Sequence, residues 1–172
     1  MKIRIITTGG TIDKIYFDRK SDFEVGDPQI VDVLKEANVR LDYEVSSLLR
    51  KDSLDLTDED RRLIYETIQH DKSRHFVVTH GTDTMILTGK TLQTIKNKVI
   101  VLTGSMQPAR FRLTDAVFNI ASAITAVQLL PCGVYIAMNG RIFDPDKVRK
   151  NVRLNRFEEL SPRPARSGPK NS

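Results

Sequence analysis

The chain has 172 residues, enough for one α/β domain with a full core and short for two, and 40% hydrophobic with 28% charged residues is ordinary for a globular protein. No apolar run is long enough to cross a bilayer, and the start lacks a signal-peptide pattern. A single cysteine, Cys132, excludes an internal disulfide and a cysteine-based zinc site, so a cytoplasmic protein is expected. Much of the net charge of +5 lies between Lys147 and Lys170; residues 161–172 read as a disordered basic tail, and no aromatic pattern accompanies the charge to suggest nucleic acid.

In chain order, residues 2–8 predict a buried strand through Ile3, Ile5 and Ile6, which runs into Thr-Thr-Gly-Gly-Thr-Ile-Asp. Paired glycines after a strand serve a sharp turn or a close approach of backbone. A phosphate cradle, a plain turn and a threonine nucleophile are all open readings. Residues 12–27, with Tyr16, Phe17 and Phe23 among charges, fit neither period and read as a mobile lid or a static hairpin over a strand end. A helix over 28–37, a strand over 40–46 and a helix over 57–71, started by Thr57 with Asp60, come next. Strands over 74–79, 99–103 and 133–138 alternate with helices over 82–96 and 112–128, the last starting near Thr114. This alternation predicts a three-layer α/β fold, a mostly parallel sheet flanked by helices, with residues 1–160 as one domain.

In open α/β sheets ligands sit outside the carboxyl ends of the strands. Here those ends read "TTGGT", "RKDSLD", "THGTDT" and "TGSMQPA", four polar turns converging on one edge. "TTGGTIDK" has neither the G-x-G-x-x-G nor the P-loop spacing, which demotes phosphate. A threonine hydroxyl needs a base or polarising group to act as a nucleophile. Thr11, Thr82, Asp83, Lys150 and Tyr16 lie in or near these loops. A lysine desolvated beside a hydroxyl and a carboxylate can accept a proton. Glycine N–H groups can approach a developing oxyanion, and Asp83 is left to hold a cationic group of the substrate. Taken singly, each loop reads equally as a plain connection, with Thr82 or Asp83 capping the next helix. Of three histidines only His80 sits at a strand end, and no metal-ligand spacing is present.

"TTGGTID", "HGTDTM" and "TGSMQP", with "KDSLDLT" between the first two and "MNGRIFDPDKVRKN" after the third, resemble the bacterial-type L-asparaginases in order and spacing over about residues 2–160. The resemblance implies the Rossmann/flavodoxin-like N-terminal domain of that family, in a short-chain form without the second domain of family members about twice as long. It implies hydrolysis of L-asparagine to L-aspartate and ammonia through a threonine acyl-enzyme, with no cofactor or metal, in a homo-oligomer of two or four chains; the charge pattern and the lack of a long apolar run add the expectation of no nucleic acid and no membrane. Thr11 matches the nucleophile, and Thr82, Asp83 and Lys150 match the second threonine, aspartate and lysine of the catalytic group. Ser53 matches the residue that binds the substrate α-carboxylate, and Asp83 also pairs with the α-ammonium. Gly10, Gly81 and Ser105 fall where backbone lines the pocket. Phe23 stands where many relatives carry a lid tyrosine, with Tyr16 as the nearest substitute. Leu54 replaces an often polar neighbour, "TMILT" lacks an acidic residue common after H-G-T-D-T-M, and long relatives complete the pocket from a partner's C-terminal domain. Broader glutaminase or amidase activity, an amidotransferase subunit and a non-catalytic aspartate- or asparagine-binding module are the other readings.

Overall fold

The computed structural model describes residues 1–17 and 22–160, with the backbone alone for Tyr16, Phe17 and Asp22; the expected tail, 161–172, lies outside the described residues. Strand β1 (Lys2–Gly9) leads through a 3-10 turn (Thr11–Asp13) into a hairpin of β2 (Lys14–Phe17) and β3 (Asp22–Val25). Helix α1 (Ile30–Glu36), strand β4 (Asp42–Lys51) and helix α2 (Asp58–His70) follow. Then come β5 (His75–Thr79), α3 (Met85–Leu92), β6 (Val99–Thr103), α4 (Ala116–Leu129) and β7 (Gly133–Met138). The described chain closes with three short strands, β8 (Arg141–Phe143), β9 (Val148–Asn151) and β10 (Arg156–Glu159).

The main sheet has the order β4-β1-β5-β6-β7-β8, parallel throughout except for β8. Side chains alternate across its faces, and this splits the core in two. Ile6, Phe76, Val78, Ile100 and Leu102 pack with Ile64 and Ile68 of α2 and Met85 and Leu92 of α3. Ile3, Ile5, Val77, Val99 and Val101 pack with Ile30 and Leu34 of α1 and Ile120, Ala123 and Val127 of α4. The result is the expected three-layer fold. No helix among the described residues is long and apolar enough to cross a membrane.

Several boundaries differ from the sequence reading. β4 runs on to Lys51, because Gly9 pairs with Lys51 after a register shift that follows Thr7. α3 starts only at Met85, which leaves Thr82 and Asp83 in the preceding turn. α2 starts as expected, Thr57 and Asp60 forming a reciprocal capping box. α4 starts at Ala116, whose N–H is accepted by the Thr114 hydroxyl at 3.0 Å. The 12–27 segment is a hairpin with Lys14 opposite Val25 and Tyr16 opposite Phe23. The strands β8, β9 and β10 escape the sequence reading because they are three or four residues long and pair through turns at Asn139 and Asn155, both in the left-handed region.

Candidate active site

The carboxyl ends of β1, β4 and β5 meet backbone to backbone. Gly9 and Gly10 have φ of 95° and 89°, a region open to glycine and strained for other residues. A Cβ on Gly10 would lie 2.4 Å from both Cα and N of Gly81, and a Cβ on Gly81 2.5 Å from Cβ of Ser53. Gly10, Gly81 and Ser53 therefore form one stack, and Thr11 emerges from it, half-buried, at the start of the 3-10 turn. The stack corrects one expectation. The N–H of Gly10 is already donated to the Lys51 carbonyl at 2.9 Å, so this glycine supplies space and not an oxyanion donor. The Ser53 hydroxyl is buried and has no hydrogen-bond partner among the described residues.

A second group adjoins the first. Lys150 Nζ donates to Thr82 Oγ1 at 2.8 Å and to Asp83 Oδ1 at 2.7 Å. Thr82 is buried, Lys150 largely so, and the Asp83 side chain is 41% exposed. The N-cap of α3 is Thr84, with no side-chain cap bond among the described residues, so Thr82 and Asp83 do not cap this helix. Lys150 reaches them from β9, opposite Phe157 of β10. The Phe157 ring is buried in the core and its N–H donates to Asn139 Oδ1 at 2.8 Å, which anchors this small hairpin. Thr84 Oγ1 donates to the Ser53 carbonyl at 2.8 Å and joins the two groups. Ser105 is buried, and its hydroxyl is engaged by the Gln107 carbonyl at 2.5 Å, so its side chain shapes its own turn. The Tyr16 side chain lies outside the described residues.

Three residues around the site escape sequence reasoning. His80 is fully buried, with Nδ1 2.7 Å from the Gly81 carbonyl and Nε2 2.8 Å from Thr88 Oγ1. A carbonyl only accepts, so Nδ1 carries the proton and the Thr88 hydroxyl donates to Nε2. Burial lowers its pKa to about 4, so it is neutral near pH 7 and acts as a strut for Gly81. Asn119 lies on the apolar helix α4, where a lone amide is visible in the sequence but its partners are not. It donates to the Gly104 carbonyl at 3.0 Å and to Asp115 Oδ2 at 2.9 Å, and accepts from the Asn139 N–H at 3.1 Å. The loop with Ser105 and the turn that anchors Lys150 therefore share one amide. The third is Asp13, two residues after Thr11 and 2% exposed, which accepts the Gln29 N–H at 2.9 Å.

Residues 2–163 match the family described as "Asparaginase, N-terminal". The L-asparaginase of Thermococcus kodakarensis is 31% identical, an alignment covering 94% of this chain and 52% of that protein. L-asparaginase 2 of Escherichia coli is 30% identical, over 86% of this chain and 46% of its own. The solved thermostable L-asparaginase from Thermococcus kodakarensis superposes with a TM-score of 0.80 at 29% identity, covering 92% of this chain and 51% of that one. The chain thus spans about half the length of the relatives it matches.

Burial raises the Asp13 pKa from 3.8 to about 7, against the opposing effects of the Gln29 N–H and of Arg50. Between those two values the folded protein keeps a proton that the unfolded chain releases, so this group's contribution to stability falls as pH rises from about 4 to about 7. His80 has the opposite slope between about 4 and 6.5. Because His80 is common to both proteins, urea unfolding of wild type and Asp13→Asn across this range isolates Asp13. The variant is expected to gain stability relative to wild type as pH rises; parallel curves would contradict the assignment.

Proposed function

The chain belongs to the asparaginase family, and from that premise we propose that it is an amidohydrolase converting L-asparagine and water to L-aspartate and ammonia. The observation that carries this reading is Lys150 Nζ held between Thr82 and Asp83 by a hairpin of the C-terminal part of the sequence. Such a lysine–hydroxyl–carboxylate set is suited to moving a proton at a strand-end loop.

In this reading the α-carboxylate of the substrate supplies the partner that the Ser53 hydroxyl lacks among the described residues. Asp83 Oδ1 is engaged by Lys150, and its other oxygen receives the α-ammonium. Thr11 Oγ then attacks the side-chain amide carbon. As the C–N bond breaks, the nitrogen takes a proton and leaves as ammonia, with the threonine ester as the acyl-enzyme. Lys150, acting through Thr82, passes the proton from the attacking hydroxyl and later helps activate water, which cleaves the ester and returns the proton to Thr11. Tyr16 is the hairpin hydroxyl assigned to assist. No metal or cofactor enters this scheme.

Glutamine is one methylene longer, a difference a pocket discriminates by about 1–3 kcal/mol, so some glutaminase activity accompanies this reading. A binding module for aspartate or asparagine is the second reading, favoured by Phe23 at the hairpin position opposite Tyr16. A cytoplasmic location and a homo-oligomer belong to the same proposal. Helix α4 has no charged residue between Ala116 and Leu129, and its outer face leaves Val117 and Phe118 exposed beside a groove of about 490 Å³ lined by Phe118, Leu129 and Ile142.

Ammonia release from L-asparagine, L-glutamine and D-asparagine, measured side by side, is expected to be fastest with L-asparagine. Thr11→Ala and Thr82→Ala should each lower that rate by about three orders of magnitude with unfolding curves unchanged. Undiminished turnover in both variants would contradict the assignment, and binding of aspartate without any ammonia release would favour the binding module. Light scattering at micromolar concentration should give a multiple of the chain mass; a monomer would contradict the oligomer.

A further inference from the structure

Strands β9 and β10 pair with each other and lie outside the main sheet, so no main-sheet ladder reaches Lys150 among the described residues. Its placement depends instead on the side chains of this two-stranded ribbon. Lys150 stands opposite Phe157 in the antiparallel register, and directly opposed residues share one face. Val148, two residues before Lys150 on the same strand, lies on that face as well. One face therefore buries Val148 and Phe157 in the core and presents Lys150 Nζ to Thr82 and Asp83.

The apolar anchors and the polar one do different work. Burial of Val148 and Phe157 presses the ribbon against the core, but apolar contact is non-directional and leaves small slides and rotations open. Direction comes from Asn139, whose Oδ1 accepts the Phe157 N–H at 2.8 Å, across the ribbon from Lys150. Asn139 and Gly140 form the turn between β7 and β8 with φ of 53° and 73°, a pair of left-handed positions that Asn-Gly adopts readily. The turn is anchored from below, since the Asn139 N–H donates to Asn119 Oδ1 at 3.1 Å and Asn119 is buried. An ion pair between Arg141 and Glu159 at 2.9 Å also joins β8 to β10, but both side chains are more than half exposed, where such a pair holds weakly.

We propose that Asn139 is a positioning residue for Lys150. It fixes the Phe157 N–H and, through the paired strands, the reach of Lys150 Nζ to Thr82 Oγ1 and Asp83 Oδ1, with Asn119 as its anchor. Asn139 touches no reacting atom. A shift of about 1 Å in the ribbon would stretch both Lys150 bonds beyond hydrogen-bond length, so the loss falls on proton transfer more than on substrate binding. The kinetic consequence rests on the hydrolase reading; the hold on the ribbon does not.

Two variants of the full chain test this. Asn139→Gly keeps a residue at ease with positive φ and removes the acceptor; Asn139→Asp keeps both the acceptor and a side chain that tolerates this region. Hydrogen exchange followed by mass spectrometry should show the amides of residues 148–159 exchanging about tenfold faster in Asn139→Gly, with β5 and β6 unchanged, and Asn139→Asp like wild type. In ammonia-release kinetics with L-asparagine, Asn139→Gly should lower kcat about tenfold or more with KM within about threefold, and Asn139→Asp should recover most of that loss. Unchanged exchange over 148–159 in Asn139→Gly, or exchange raised equally in β5 and β6, overturns the hold on the ribbon. Asn139→Gly turning over like wild type, or Asn139→Asp as slow as Asn139→Gly, overturns the positioning role. If wild type releases no ammonia, the hydrolase reading falls with the kinetic role, and the exchange experiment still decides the hold.

Discussion

Gly10 and Gly81 approach so closely that a single added carbon on either would overlap the neighbouring loop, at 2.4 Å in one case and 2.5 Å in the other. Three parallel strands of an open sheet end side by side, but their loops ordinarily diverge because side chains keep them apart. Removing Cβ at two positions lets the ends of β1, β4 and β5 stack as bare backbone. Thr11 and Thr82 each follow one of the stacked glycines directly, and Ser53 lies under the second. The supports serve the same stack: His80, kept neutral by burial, holds the Gly81 carbonyl, and Lys51 holds the Gly10 N–H.

Around that fixed point the polar groups are arranged by elements far apart in the chain. Lys150 arrives on a two-stranded hairpin held to the core by the buried Val148 and Phe157 side chains and by the Phe157 N–H bond to Asn139. Asn139 in turn holds Asn119, which holds the loop of Ser105 and shares Asp115 with it. A buried amide with all its groups bonded is costly to disturb, because any lost partner leaves an unsatisfied polar group in low dielectric. This explains how short strands with little area of their own present a lysine at hydrogen-bond distance from two other groups.

Much of this is legible in the sequence, and the reasons are local. The five main parallel strands show because each is a short apolar run bounded by turn residues, and the strand ends announce a site because four consecutive loops are polar on the same edge. The capping box of α2 is equally local. Less visible is everything set by distant partners. β4 extends to Lys51 because of its pairing with Gly9, and α3 loses its first turn because Thr84 is drawn to the Ser53 carbonyl. His80 reads as a strand-end histidine, yet only its burial shows that it is a strut. Asp13 reads as one charge among many in a charged segment, and its partner Gln29 is sixteen residues away. The contacts of Ala109 with Ile12, Arg110 with Gln29 and Phe111 with Phe23 have no sequence signature, since their parts are a backbone amide, an arginine and an exposed ring.

The central claim is that Thr11, held at this glycine stack, forms a covalent ester during turnover. Acid quenching of the protein during incubation with L-asparagine, followed by tryptic digestion and fragmentation mass spectrometry, addresses it directly. An aspartyl adduct on Thr11 within the peptide spanning residues 5–14 is the result this account predicts. Ammonia release with an adduct on Thr82, in the peptide spanning residues 75–90, or with no adduct on either peptide, would contradict it.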